Sequence, residues 1–377
     1  MKPTNIRAIA QKEIYHLIRD FRSLYLAFAI PLLLIFMFGY ALRLDVDNVK
    51  TVVVDYDRTD LSRDFIRHLD ASTYFHIENY LKNTQAVTKY LDHGWATLAV
   101  IIPPGWTKNI HSDRDAPMQV ILDGSDPNFA GITRGYITAF IEQYNQKNLL
   151  RYLNRQGRNQ MNVPVEGRIR VWFNEDLESR NFIIPGIIAI IIMLAGAMLT
   201  SLVIAREYEN GTMETIKSLP IGAAEFIIGK AVPYFLIGLT DVLIAVLMGQ
   251  VFFGIVMKSS FWLMILASCL YLFVALGLGL LISVITKSQL IANMAAILLT
   301  FLPSILLSNF VFPIINMPKI LQIITYVVPA RYYIEILSGI YLKHLDFIQM
   351  WSDFLVLLLM FLIMSAMNIR LLKKEGL

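Results

Sequence analysis

Long apolar runs, each bounded by charged residues, dominate this 377-residue chain and restrict what it can fold into. A helix needs about 20 residues to cross a hydrocarbon core. Residues 24–42, 182–205, 231–257, 261–285 and 290–312 meet that length, and 354–369 falls slightly short. Trp351 and Arg370 flank the last run and can sit at the two interfaces, extending that span over 350–372. The third span likewise takes in its flank from 226. In lipid only a helix or a closed barrel satisfies every backbone polar group, and runs of this length are helical. The expected fold class is an α-helical polytopic membrane protein with six transmembrane helices and a large α/β extracytoplasmic domain between helices 1 and 2. Only 16% of the residues are charged, against about 25% in an ordinary soluble domain.

Basic residues in short flanks set orientation. Segment 1–23 carries Lys2, Arg7, Lys12, Arg19 and Arg22, and Arg370, Lys373 and Lys374 surround the start of the tail at 373–377. Both ends are expected in the cytoplasm of a bacterial inner membrane, as an even number of spans requires. Arg206 and Lys217 then fall in a cytoplasmic segment, 206–225, and Lys287 in another. The loop at Lys258 and segment 313–349 fall outside. Gly39-Tyr40-Ala41 imitates a signal-peptide cleavage site, but the apolar run before it exceeds the usual 7–15 residues. An uncleaved anchor is expected.

Between 43 and 181 the pattern changes. Residues 51–54, 74–81, 97–102 and 118–122 read as strands, and 61–69 and 84–91 as short helices. Phe129, Ile132, Tyr136, Phe140 and Tyr144, at spacings of three and four, mark a long amphipathic helix over 129–153. This order suggests a small sheet covered by helices. Asp123-Gly-Ser-Asp-Pro-Asn128 superficially resembles a calcium loop, but it lacks the alternating ligands and the glutamate at position twelve, so a turn and helix cap is expected. The six histidines lack metal-ligand spacing, no catalytic constellation stands out, and the single Cys269 excludes an intrachain disulfide. A net charge of +4 is too small and dispersed for a nucleic-acid surface.

The most informative stretch is 205–220. Arg206, Glu207 and Glu209 end a span in water, Gly211-Thr212 breaks and re-caps the chain, and 212–219 forms a short amphipathic helix stopped by Pro220. Here the sequence resembles the permease subunits of ABC-2 type exporters, closest to their bacterial multidrug-efflux-like branch. The residues that carry the resemblance are Arg-Glu-x-Glu-x-Gly-Thr-Met-Glu (Arg206 to Glu214), Pro220 and Ile184-Pro185-Gly186. Lys12-Glu13-x5-Arg19-Asp20, Trp172-Phe173-Asn174 and Tyr326-x-x-Pro329-x-Arg331-Tyr332 also match, in order along the chain.

The resemblance implies two permease chains, identical or paralogous, with two ABC ATPase subunits docked on the cytoplasmic face and using ATP and magnesium. Arg206, Glu207, Glu209, Gly211, Thr212, Met213 and Glu214 would form the coupling segment, and 6–21 an interfacial connecting helix. The large domain would be periplasmic, in reach of a membrane-fusion partner. Independently, the chain has no phosphate-binding loop: Gly229-Lys230 is followed by Ala231, and Ala224 stands where the leading glycine belongs. No cofactor is expected in this chain, and it is not expected to be an enzyme.

Within the spans Asp241 is the one deep acidic residue, and its cost in lipid points it toward protein or water. It reads equally as a wall of the translocation path or a cation-drug contact, and as a protonated or hydrogen-bonded structural aspartate. Lys230 is expected to snorkel to the cytoplasmic interface. Two small-residue stripes, Ala197-Ser201-Ala205 and Ala275-Gly279-Ser283, allow close backbone approach, within the chain or at a dimer contact. Pro303 and Asn309 mark a break in span five on the translocation path. Segment 313–349 reads as re-entrant or interfacial helices forming an outer gate, with Pro329 and an i, i+4 pair of Arg331 and Glu335. A membrane-anchored sensor would need a larger cytoplasmic output segment, and an ion-coupled transporter would need more intramembrane charges.

Overall fold

The computed structural model describes the chain except for residues 1, 20, 42–47, 113, 156–172 and 174–178. Asp20, Leu42, Trp172 and Asn174, singled out above, thus lie outside the described residues. The chain divides into two compact units, Met1–Arg43 with Arg170–Leu377, and Leu44–Ile169.

The first unit opens with α1 (Pro3–Arg19) and α2 (Phe21–Ala41). The inserted unit then runs β1 (Val49–Asp55), α3 (Asp60–Asp70), β2 (Phe75–Tyr80), α4 (Thr84–Asp92), β3 (Leu98–Ile102), α5 (Trp106–His111), β4 (Gln119–Leu122) and α6 (Pro127–Arg155). The sheet order is β2-β1-β3-β4, with β1 parallel to both neighbours and β4 antiparallel to β3. All of β3 and residues 52–54 of central β1 are continuous apolar runs because helices cover both faces there. One face packs Val53 and Val100 against Phe65, Trp106 and Tyr144. The other packs Val52, Val54 and Ile101 against Val87. Helix α5, absent from the sequence reading, is one short turn anchored by buried Trp106, whose Nε1 donates to Ala116 O at 2.9 Å. The Asp123–Asn128 stretch is the expected turn and cap: Asp123 Oδ1 accepts the Ser125 N–H, and Asp126 Oδ1 accepts that of Phe129.

The first unit continues with α7 (Arg180–Glu209), α8 (Thr212–Lys217), α9 (Ala223–Phe253), α10 (Phe261–Thr286), α11 (Gln289–Ala296), a π-helical turn (Ile297–Phe301) and α12 (Leu302–Leu306). It ends with α13 (Lys319–Thr325), α14 (Pro329–Ser338) and α15 (Phe347–Lys374). Among the described residues five helices are long and apolar enough to cross a membrane: α7, α9, α10, α11 through α12, and α15. The described apolar stretch of α2 is shorter, Pro31–Tyr40. The segments Lys319–Thr325 and Pro329–Lys343 form a bent apolar pair at 79° that counts as a sixth span if it is one broken helix.

Helix α7 is the spine of this unit, buried along most of its length. The two small-residue stripes meet here, in one chain. A Cβ on Gly279 would lie 2.1 Å from Thr200 Oγ1 and 2.4 Å from Ala197 O. Ser283 Oγ accepts the N–H groups of Ile204 and Ala205, at 3.0 and 2.8 Å. Small side chains bring the α7 and α10 backbones together, and dispersion across that seam replaces the hydrophobic drive that lipid removes.

Span five differs from expectation. Its helix stops at Leu306, and Asn309 lies beyond it with φ +69°, its Oδ1 accepting the Ile314 N–H at 3.0 Å. Asn309 therefore shapes a turn and is not in the span. The break predicted at Pro303 is the π-helical turn just before it, which absorbs the hydrogen bond that proline cannot donate. Arg331 and Glu335 do not form the expected ion pair: Arg331 Nη1 donates to Thr325 Oγ1 at 2.5 Å and its guanidinium stacks 4.2 Å over the Tyr326 ring. Tyr332 OH donates to Tyr326 O at 2.9 Å. The Tyr326-Pro329-Arg331-Tyr332 motif thus builds the corner between α13 and α14.

Candidate functional site

At one end of the first unit α1, the end of α7, α8 and the start of α9 converge on a cluster of charges. Amphipathic α1 turns Glu13 and Leu17 inward and leaves Ile14, Tyr15 and Ile18 exposed. Gly229 on α9 admits it closely, since a Cβ there would lie 2.7 Å from Ile9 Cβ and 3.2 Å from Ile6 O. The amino end of α1 is tied down as well: Glu225 accepts the Lys2 backbone N–H at 2.6 Å and Asn5 Nδ2 at 2.7 Å.

Glu13 is 0% exposed. Its Oε1 accepts from Arg206 Nη2 at 2.6 Å and Tyr234 OH at 3.0 Å, and its Oε2 from Lys230 Nζ at 2.7 Å. Lys230 also donates to Glu207 Oε1 at 2.5 Å, and Lys12 reaches the same oxygen at 2.9 Å. Thr212 at the start of α8 donates to Glu207 Oε2. Three cations and two carboxylates form a closed network. Buried charges are tolerable only when paired in this way, because each unpaired ion would keep a desolvation cost of several kcal/mol.

Two expectations are corrected here. Lys230 does not snorkel: it is 1% exposed and bridges Glu13 and Glu207. Arg206 and Glu207 do not end the span in water but lie inside the network, with side-chain exposures of 15% and 6%. Sequence reasoning gave Tyr234 no role, knew Glu13 only as part of the Lys12-Glu13 motif, and paired neither with Lys230. The available signal was electrostatic, since a lysine deep in an apolar run needs a buried anion, and Glu13 on the inward face of α1 supplies it.

The remaining motif residues divide by position. Glu209 accepts both the backbone N–H and the side-chain Nε2 of Gln289, at 2.8 and 2.5 Å, and so clips the first residue of α11. Gly211 adopts φ +69° at the start of α8, a left-handed conformation that glycine takes without a Cβ penalty. Met213 is buried beneath α8, whereas Glu214 and Leu219 are exposed. A groove of about 350 Å³ runs between α1 and α8, lined by Ile9, Lys12, Thr215, Ile216 and Leu219. The tail joins the same end. Glu375 accepts from Lys287 Nζ at 2.7 Å and Tyr208 OH at 3.3 Å, and hydrogen bonding from Lys287 holds its carboxyl below the usual range.

The opposite end gathers the α9–α10 loop and the segment after α14. Ser259 Oγ donates to Leu345 O at 2.9 Å, and Lys258 Nζ to Phe173 O at 2.7 Å. Between the ends, Pro303 and Pro329 line one apolar cavity of about 510 Å³ with Met193, Thr300, Tyr326 and Met364. Asp241 is buried in α9, and its Oδ2 has no hydrogen-bond partner among the described residues. Asn309, Arg331 and Glu335 are not among the residues lining the cavity.

A spine of apolar helices with an amphipathic N-terminal helix pinned by buried ions to the loop after α7 defines a multi-pass membrane protein. The profile described as "ABC-2 family transporter protein" matches residues 21–370, and the chain belongs to that family: it is an ABC-2 type permease. It is 35% identical over 339 residues to "Probable multidrug ABC transporter permease YbhS" of Escherichia coli (strain K12), covering 89% of this chain and 88% of that one. It is 30% identical over 346 residues to "Probable multidrug ABC transporter permease YbhR" of the same organism, covering 92% of each. "Inner membrane transport permease YhhJ", also from that strain, is 29% identical over 271 residues, 71% of this chain and 70% of that one.

Proposed function

We propose that the chain is the membrane-spanning permease subunit of an ATP-driven exporter that moves a drug-like or lipophilic substrate out of the cytoplasm or membrane. Separate ABC ATPase subunits bind and hydrolyse ATP with magnesium, and this chain supplies the path. A second permease chain, identical or paralogous, completes it, and a periplasmic membrane-fusion protein continues it. Both termini and the charge network are cytoplasmic, and the α/β unit is periplasmic. The convergence of α1, α8, the α10–α11 loop and the tail at one end supports this orientation, as do the basic residues concentrated there.

The observation that carries the reading is the double grip on Glu207. It holds Lys12 of α1 and Thr212 of α8 through one carboxylate, while Glu214 of α8 remains exposed. A push on α8 is therefore transmitted to α1 and, through Lys230, to α9. Cargo enters the cavity at Pro303 and Pro329, whose apolar lining suits a lipophilic molecule, and Asp241, buried on α9 outside that lining, is assigned to the continuation of the path.

Co-purification with the ATPase tests the coupling. Glu214→Ala and Gly211→Pro should both insert at normal levels and lose ATPase retention or transport-linked stimulation. An exposed connector would tolerate Glu214→Ala within about 0.5 kcal/mol. Normal assembly and export in both variants would remove the coupling role of α8.

A further inference from the structure

The carboxyl ends of β1 and β2 open into a cleft of about 610 Å³ within the α/β unit. Val53, Ile66 and Leu81 form an apolar floor, and Arg58, Arg63, Arg67 and Lys82 stand around it with Asp55 and Asp60. Four cations face two acids here, and one of the two acids is engaged elsewhere. Asp55 is committed to the β1–α3 loop: its Oδ1 accepts the N–H groups of Asp57 and Arg58, both at 3.0 Å, and its Oδ2 accepts Ser62 Oγ at 2.8 Å. Those bonds help hold Arg58 at φ +54°, a conformation uncommon for a residue with a Cβ. Arg67 makes one long hydrogen bond to Asp64, at 3.3 Å, while Arg58, Arg63 and Lys82 form no ion pair with any described residue. Arg63 and Arg67 also sit at i, i+4 on one face of α3, a spacing at which like charges repel. Folding alone gives no reason to gather four cations over one cleft.

We infer that this cleft binds a small soluble polyanion, a compact molecule carrying two or more phosphate or carboxylate groups. Guanidinium forks pair with such groups bidentately, and the apolar floor seats the body between them. The volume matches small-molecule sites, and the cleft lies at the carboxyl ends of two parallel strands, β1 and β2. A protein partner would instead require a surface of about 800 Å² per side. The site lies wholly within the α/β unit, so the inference stands apart from the exporter reading.

The test uses the full-length chain in nanodiscs of neutral lipid, titrated with inorganic pyrophosphate and with citrate and followed by thermal shift. The wild type should be stabilised by at least one probe. Each rim cation removed costs a charge-assisted hydrogen bond, so Arg58→Gln, Arg63→Gln and Lys82→Gln should each weaken binding roughly tenfold, and the triple variant should not respond. Lys89→Gln with Lys108→Gln, exposed lysines of the same unit outside the cleft, should respond like wild type. Equal responses in wild type and triple variant would overturn the inference. So would no response to either probe, or a response that appears only with anionic lipid in the nanodisc.

Discussion

Glu13 and Lys230 are 217 positions apart in the chain and 2.7 Å apart in space, both sealed from solvent. That contact fastens an N-terminal amphipathic helix to the core of the bundle, and it defines where the network is vulnerable. Glu13→Gln leaves Arg206 and Lys230 to share the single charge of Glu207, which already serves Lys12. The expected loss is about 3–5 kcal/mol, the scale for breaking a buried pair. Lys12→Gln should cost no more than about 1 kcal/mol, because its side chain is half exposed. Thermal unfolding of the detergent-purified variants checks the order, and equal losses would contradict it.

Gly279 supports a second prediction, on packing. Gly279→Val places atoms against Thr200 Oγ1 and the Ala197 carbonyl, and backbone cannot yield as a side-chain tip can. The α7–α10 seam must part, at about 1–3 kcal/mol or more. Gly277→Ala, whose nearest neighbour would be Met364 Cβ at 3.2 Å, should be tolerated far better. Size-exclusion profiles after heating distinguish the two.

Orientation is checked by thiol labelling. Ser125→Cys should react with an impermeant reagent in spheroplasts, whereas Ser218→Cys should react only after permeabilisation. Cys269 lies in α10 and is partly buried, and should stay unlabelled in the wild type. The reverse pattern would invert the topology.

Asp241→Asn should insert and fold, since Oδ2 has no hydrogen-bond partner among the described residues to lose. If its carboxylate faces the path, export of cationic compounds should fall more than that of neutral ones in paired transport assays. Equal effects on both classes would leave Asp241 a structural residue.

Legibility followed the range of the interactions. The strands of the α/β unit were readable because β-branched runs alternate with helical spacing, and boundaries moved by only one or two residues. Helix α5 was missed because six residues with one large buried anchor carry no period. Gly211 could be singled out from the break in the 205–220 stretch. The Arg331–Glu335 pair failed because i, i+4 spacing permits an ion pair without selecting it. Tyr326 and Thr325, brought round by the bend before α14, offered Arg331 a closer stacking and hydrogen-bonding site.

The sequence by itself determined the apolar spans, the α/β insertion and the family, since each is written in local composition, period or motif. It also supplied the two small-residue stripes, although not that they face each other. Only the tertiary structure decided that Arg206, Glu207 and Lys230 are internal ties, and that Glu13 anchors Arg206 and Lys230. The physical reason is that a charge near the end of a span has two stable solutions, water at the interface or a buried partner. Which one it adopts depends on whether another helix arrives with the opposite charge, and here α1 does.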